Sequence, residues 1–126
     1  MIARRAAIAG LLALPACAAP APSFVQSTLY LGRSIPAGGE VNDEALARFV
    51  AEEITPRFPE GFTLVEGSGA WRDRARGDTI RERTMIVILV HPPARRAAVE
   101  EIASAYARRF GQQSVLRVES PAEVRF

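Results

Sequence analysis

Lysine is absent from this sequence, and cysteine, histidine and tryptophan occur once each. One cysteine cannot form an intramolecular disulfide, and one cysteine with one histidine offers no cluster with the spacing of a metal site. The chain also lacks GxGxxG, GxxxxGK[ST] and GxSxG, so it indicates no dinucleotide loop, phosphate loop or nucleophile elbow. We therefore expect no metal, no cofactor and no acyl-transfer chemistry.

The N-terminus has the three-part layout of a secretory signal. Two arginines precede a small and apolar run over residues 6–14, which is too short to span a bilayer because spanning takes about 20 apolar residues. The segment Leu14–Cys17 follows and resembles a bacterial lipobox. We predict a lipoprotein-type signal peptide over 1–16, lipidation of Cys17, and a short extended tether over 17–23.

The predicted location of the mature protein is the periplasm, with a lipid anchor at Cys17 that inserts into a membrane. Ala18 stands where an aspartate would direct retention at the inner membrane, so we expect the outer membrane. Cleavage after Ala18 is the alternative and would give a soluble periplasmic or secreted protein. The mass of the mature N-terminal peptide tests this prediction: we expect a diacylated Cys17, and an unmodified peptide that begins at Ala19 would overturn the anchor.

The basic residues do not indicate a nucleic-acid surface. All 16 are arginines, against 14 acidic residues, and Arg4 and Arg5 belong to the leader. The mature chain then has 14 arginines and 14 acids. Because it carries no formal net charge, we expect no nucleic-acid partner.

Hydrophobic periodicity predicts six elements in the order strand, helix, strand, strand, helix, strand. The strands are predicted over 24–35, from Phe62 with fraying at Gly67–Gly69, over 79–91 and over 112–119, and the helices over 41–54 and between Pro93 and Gly111. This order predicts one α+β domain over 24–126 with a ferredoxin-like split βαβ sandwich (βαββαβ). Two helices would then cover one face of a four-stranded antiparallel sheet, with the first and third strands central.

The second face of this sheet is predicted to stay open, since two helices can cover only one. Tyr30, Thr84 and one set of apolar residues from the third strand are expected there. A second subunit, a ligand or the C-terminal segment 121–126 must cover such a surface.

Glu82 is the acidic residue best placed for chemistry. The triplet Arg81-Glu82-Arg83 opens a strand that becomes wholly apolar at Met85, so the carboxylate is expected near the rim of the open face. Arg33 on the adjacent first strand could pair with it. The structural alternative for Glu82 is a surface ion pair, which would add little stability.

Three further positions have both a structural and a functional interpretation. Trp71 follows a glycine-rich bend, and it either packs on the core or an edge or forms a ligand platform. His91 is expected to be an exposed loop histidine rather than a catalytic base. Arg57 and Phe58 lie between prolines, where a rigid connector with Phe58 on the core is favoured over an anion clamp.

Several short motifs, taken in order, cover nearly all of the chain after the leader. They are Leu29–Arg33, Thr55–Pro59 with Gly61, Gly69–Arg72, Arg81-Glu82, Tyr106, Arg109-Phe110 and Gln112–Leu116. As an ordered set they resemble a bacterial family known as domain of unknown function 3574. The resemblance implies an envelope or secreted protein with a small α+β domain, and it implies no particular activity.

The polar residues of these motifs come from separate segments, and the predicted fold places its first, third and fourth strands side by side. We therefore expect many of them to converge in one candidate ligand or interface site. With the tryptophan and arginine of the third motif, the set is Tyr30, Arg33, Arg57, Trp71, Arg72, Glu82, Gln112 and Ser114.

Two functions follow as hypotheses. The first is a non-enzymatic, membrane-tethered module that forms a homodimer, or binds a small ligand or an envelope protein, through the open face. The second is an enzyme of the dimeric α/β-barrel kind, in which Glu82 acts as acid or base beside Arg33 and Tyr30 on a small apolar substrate. The fold cannot choose between them, because this architecture serves many functions.

Overall fold

The computed structural model describes residues 12–16 and 23–126. Residues 12–16 are exposed and have no regular structure. Cys17, the first 11 residues of the leader and most of the tether lie outside the described residues, so the signal peptide and the lipid anchor stay predictions. Within the described residues, no helix has the length and apolar character that crossing a membrane requires.

Between residues 23 and 126, four strands and two main helices follow the predicted order. They are β1 (Phe24–Gly32), α1 (Asp43–Phe49) with a π-helical turn (Val50–Ile54), β2 (Thr63–Arg72), β3 (Thr79–His91), α2 (Arg96–Phe110) after a 3-10 turn (Pro93–Arg95), and β4 (Leu116–Ala122). The sheet has the order β2-β3-β1-β4, and every neighbouring pair is antiparallel. The predicted α+β ferredoxin-like fold, with β1 and β3 central, is confirmed.

The helix ends follow from local chemistry. The Asn42 side chain accepts a hydrogen bond from the Ala45 N–H at 2.8 Å and caps the start of α1, as its sequence position predicts. The Thr55 N–H bonds to the Val50 carbonyl, and Pro56 then lacks the N–H that another turn would need. Gly111 ends α2 at a φ of 61°, in the left-handed region that glycine occupies without strain.

The second and fourth strands differ from their predicted bounds. β2 does not fray at its glycines, because β3 pairs with it without interruption from Thr63 to Arg72. The ladder bonds thus outweigh the low strand propensity of glycine. β4 begins at Leu116 rather than Gln112, because the Gln112 N–H still bonds back to the Ala107 carbonyl at the end of α2.

The core face of the sheet packs against the helices. Its buried members include Leu29, Leu31, Val87 and Leu89, which contact a helical layer that contains Phe49, Ile102 and Tyr106. His91 belongs to this face and is 2% exposed, so the expected exposed loop histidine is wrong. β3 extends as far as His91, and the alternation of the strand directs the ring inward. There the histidine Nδ1–H donates to the Pro92 carbonyl at 2.7 Å, and Nε2 accepts from Ser27 Oγ at 2.8 Å.

Residues alternate along each strand between the core face and the open face of the sheet. Tyr30 lies opposite Ile86 and Thr28 opposite Ile88, which confirms that Tyr30 and one apolar set of β3 lie there. Pro121 and Ala122 of the C-terminal segment belong to β4 and pair with Val25 and Phe24 at the edge of the sheet. No partner chain is part of the structure, and the homodimer remains a prediction.

Candidate functional site

A cavity of about 810 Å³ lies on the open face, at the end of the sheet where β1 stops. β1 pairs with β3 only as far as Thr84, whereas β3 begins at Thr79, so the β2–β3 hairpin extends past the end of β1. The apolar lining of the cavity includes Tyr30, Trp71, Ile80, Ile86 and Leu116. The polar lining of the cavity includes Ser34, Glu82, Thr84, Gln112, Gln113 and Ser114. The cavity thus combines aromatic, aliphatic and hydrogen-bonding surfaces.

Glycines on the strands make room for this cavity. A Cβ atom on Gly32 would lie 2.6 Å from Glu82 Oε1, and one on Gly69 would lie 2.8 Å from Thr84 Oγ1. Gly67 and Gly69 alternate onto the same face of β2 as Trp71. The stretch Gly67–Trp71 is therefore a continuous part of β2. Its two glycines leave the cavity side of the strand without side chains, and the Trp71 ring forms a wall at the end.

Glu82 is fixed in the cavity by two neutral N–H donors. The Trp71 indole Nε1–H donates to Oε1 at 2.9 Å, and the Ser34 backbone N–H donates to Oε2 at 2.9 Å. The Gln112 side-chain amide in turn donates to the Ser34 carbonyl at 2.8 Å. Three separate segments thus hold one carboxylate in place, and each oxygen keeps a lone pair for a ligand.

The helical layer supports the floor of the cavity from behind. The Tyr106 hydroxyl reaches through the core and donates to the Gly32 carbonyl at 2.8 Å. Burial raises the pKa of Tyr106 above its ordinary value, although Arg33 lowers it, and the negative charge of Glu82 raises it further. The hydroxyl therefore stays protonated at neutral pH and keeps its role as donor.

Arg33 lies on the opposite face from Glu82, so the predicted pair of these two residues is wrong. Arg33 is 0% exposed and donates to the Val41 carbonyl at 2.8 Å, to Glu66 at 2.9 Å and to Asp43 at 2.5 Å. The side chain follows the alternation that also directs Leu31 into the core. Arg33 therefore holds the end of β1, the start of α1 and β2 together.

The other two arginines of the candidate set also lie away from the cavity. Arg57 bridges the helical layer by donating to Glu53 at 2.8 Å and Glu101 at 3.1 Å, and Phe58 is buried in the core, as the connector interpretation predicts. Arg72 is exposed and follows Trp71 on β2, so it lies on the opposite face of that strand.

Five candidates line the cavity together, namely Tyr30, Trp71, Glu82, Gln112 and Ser114. Sequence reasoning missed Ser34, whose contribution is a backbone N–H and carbonyl that no side-chain motif reveals. It also missed the role of Gly32, Gly67 and Gly69, although Gly67 and Gly69 at alternate positions on β2 could have indicated a surface without side chains. Among the described residues, no group of three or more histidine, cysteine, aspartate or glutamate side chains could hold a metal ion.

The fold and the cavity define a ferredoxin-like α+β domain with a half-enclosed polar and aromatic site on its open sheet face. The chain belongs to the family described as "Protein of unknown function (DUF3574)", whose model matches residues 26–126. The resemblance in its motifs is thereby confirmed. No curated protein matches this sequence.

Solved structures of a phage SAM lyase share the fold. The complex of that enzyme with S-methyl-5′-thioadenosine has 13% sequence identity and a TM-score of 0.65, over 83% of this chain and 86% of that chain. Its apo state has 14% identity and a TM-score of 0.59, over 76% of this chain and 78% of that chain. At such identities the similarity shows the fold alone.

Proposed function

We propose that this domain is a binding module that holds a small ligand in the cavity around Glu82. The observation that carries the proposal is the fixed Glu82 carboxylate, held by Trp71 and Ser34 in a space that Gly32 and Gly69 keep open. A volume of about 810 Å³ falls within the range of small-molecule sites, about 300–1,000 Å³. The phage enzyme of the same fold, in complex with a small thioether nucleoside, supports a ligand of this size.

The module is proposed to act in the periplasm, tethered through Cys17. The lipobox-like segment and the short apolar leader support this location. The tether would join the sheet at Phe24, whereas the cavity lies beyond the other end of β1 at Gly32. At about 3.3 Å per strand residue, these ends lie roughly 26 Å apart. An anchored domain would therefore leave its cavity accessible.

S-methyl-5′-thioadenosine is the first probe for this proposal, because the phage enzyme carries it. We expect a saturable change in tryptophan fluorescence, since Trp71 is the only tryptophan and lines the cavity. Glu82→Gln is expected to weaken binding about tenfold, equivalent to about 1.4 kcal/mol, because a charged acceptor is lost. The matched control is Glu44→Gln, which alters an exposed carboxylate paired with Arg48 in α1.

Two results would contradict the proposed binding function. Binding that Glu82→Gln leaves unchanged would place the ligand outside the cavity. A second contrary result would be no saturable probe binding together with no small molecule retained by protein purified from its own host, as judged by native mass spectrometry.

An enzymatic role for Glu82 is the second candidate. It is favoured by the position of the carboxylate inside the cavity and by the name of the structural neighbour, a lyase that acts on SAM. However, both carboxylate oxygens already accept an N–H from the protein, an arrangement that suits a fixed hydrogen-bond acceptor for a ligand. Incubation with SAM separates the two roles, because Glu82-dependent loss of SAM would favour the enzyme and binding without turnover the module.

A further inference from the structure

We infer that the ligand of this cavity is an organic cation and that Glu82 is its counter-ion. The inference rests on the proposed binding function and adds the charge of the ligand. It begins from the ion pairs of the described residues, in which all acidic side chains except Asp73, Asp78 and Glu82 have an arginine nitrogen within 4.0 Å. Asp73 and Asp78 belong to the turn between β2 and β3, where the Asp73 carboxylate accepts hydrogen bonds from the Ala75 and Arg76 N–H groups. Glu82 is therefore the one of the three that lies on a strand of the open face and lines the cavity there.

Among the described residues, no arginine forms an ion pair with Glu82. Both hydrogen bonds to its carboxylate come from neutral N–H groups, of Trp71 and Ser34. Arg33 lies behind the sheet, where Asp43 and Glu66 already pair with it at 2.5 Å and 2.9 Å. The charge of Arg33 is therefore compensated before it can act on Glu82.

The charged lining of the cavity has a negative balance. It consists of Asp73, Arg76 and Glu82, which leaves one negative charge uncompensated. Arg76 is exposed in the hairpin turn, and its backbone N–H bonds to the Asp73 carboxylate at 3.3 Å. A concave surface with a net charge attracts the opposite charge, so the negative balance of this lining favours a cationic over an anionic ligand.

The aromatic walls favour an organic cation over a metal ion. The cation–π contacts of the described residues use Phe58 and Phe49, so no arginine takes the ring faces of Trp71 and Tyr30. An ammonium or sulfonium group with apolar substituents interacts with such rings while a carboxylate balances its charge. A hard metal ion would need several oxygen ligands, and the described residues offer no such group.

The test uses choline and 3,3-dimethylbutan-1-ol, an uncharged molecule of the same shape in which carbon replaces the quaternary nitrogen. The indole N–H of Trp71 gives a single NMR signal and donates directly to Glu82, so it reports binding at the carboxylate. We expect choline to shift this signal with an affinity at least about tenfold higher than that of the neutral isostere. Higher salt should remove much of the difference.

Two variants test whether the cavity recognises the positive charge of choline or only its shape. Glu82→Gln is expected to abolish the preference for choline and to leave binding of the isostere unchanged, whereas Glu44→Gln should preserve the preference. Circular dichroism checks that Glu82→Gln is folded. The salt dependence of the wild-type protein needs no variant and gives a second reading of the same charge.

The outcomes distinguish this inference from the function on which it rests. Equal affinity for both probes, or a preference that survives Glu82→Gln, would overturn the cation while leaving a small-ligand site in place. A Trp71 signal that responds to neither probe would also overturn it, and the titration with S-methyl-5′-thioadenosine would then decide the binding function independently.

Discussion

Replacing Arg33 with alanine is expected to destabilise the domain by about 3 kcal/mol. The guanidinium is 0% exposed and makes three hydrogen bonds, to the Val41 carbonyl, Asp43 and Glu66. Removing it leaves a buried carbonyl without its donor and a void at the junction of α1, β1 and β2. The two carboxylates can return to water, because their side chains are 80% and 61% exposed. The loss therefore comes mainly from the unpaired carbonyl and the void.

Denaturant unfolding followed by circular dichroism measures this effect, with Arg48→Ala as the matched control. Arg48 also pairs with a carboxylate at 2.9 Å, but its side chain is 62% exposed. An exposed pair on a helix contributes about 0.3–0.5 kcal/mol. Similar losses in the two variants would contradict a structural role for the buried guanidinium.

The pH dependence of stability gives a second measurement, of the ion pair between Arg33 and Asp43. A hydrogen bond from Arg33, reinforced by its charge and that of Arg83, lowers the pKa of Asp43 below 3.8. A carboxyl with a lowered folded pKa stabilises the fold above its unfolded pKa, and this contribution is lost as the pH falls through the folded value. The stability gap between wild type and Arg33→Ala should therefore narrow below about pH 4. A residual pH effect is expected in the variant, since Arg83 remains 3.3 Å from Asp43.

The topology could be predicted from the sequence because each element carries its own signal. β3 is apolar on successive residues from Met85 to Val90, which requires coverage on both sides or a central place in the sheet. Asn42 and Gly111 mark the helix ends through capping chemistry. The prediction that β2 frays at Gly67–Gly69 relied on the low strand propensity of glycine and was wrong. Strand pairing depends on the partner strand as well as on the local sequence.

The residues that line the cavity were only partly predictable, since a motif does not distinguish a residue that lines a site from one that stabilises the fold. Glu82 and Trp71 belong to the cavity, whereas Arg33 and Arg57, which come from the same kind of motif, hold elements together. Arg33 differs from Gly32 by one position, and that step moves a side chain from the open face to the core face. The contribution of Ser34 is made by its backbone, which sequence patterns do not encode.

Gly32→Ala is expected to reduce ligand affinity about a hundredfold, equivalent to about 2.7 kcal/mol, while the domain stays folded. The added Cβ would lie 2.6 Å from Oε1, 2.8 Å from Oε2 and 2.9 Å from the carboxyl carbon of Glu82. The carboxylate must therefore move away from the donors of Trp71 and Ser34. Gly32 is not among the glycines with positive φ, so alanine fits its backbone conformation, and the damage is concentrated in the site.

The control for this variant lies on the same face, at Gly67. A Cβ on Gly67 would meet the Ile86 Cδ1 atom at 3.4 Å, which is close to ordinary van der Waals contact, and would not reach Glu82. We expect Gly67→Ala to narrow the cavity but to keep the Trp71 indole N–H signal in its hydrogen-bonded position and to lose less affinity for S-methyl-5′-thioadenosine than Gly32→Ala, which should lose both. Wild-type affinity in Gly32→Ala, with the indole signal unmoved, would mean that the added Cβ does not displace the Glu82 carboxylate, and it would contradict this prediction. A loss in Gly32→Ala that is accompanied by a shifted indole signal would show that the missing Cβ at Gly32 keeps the carboxylate in its position.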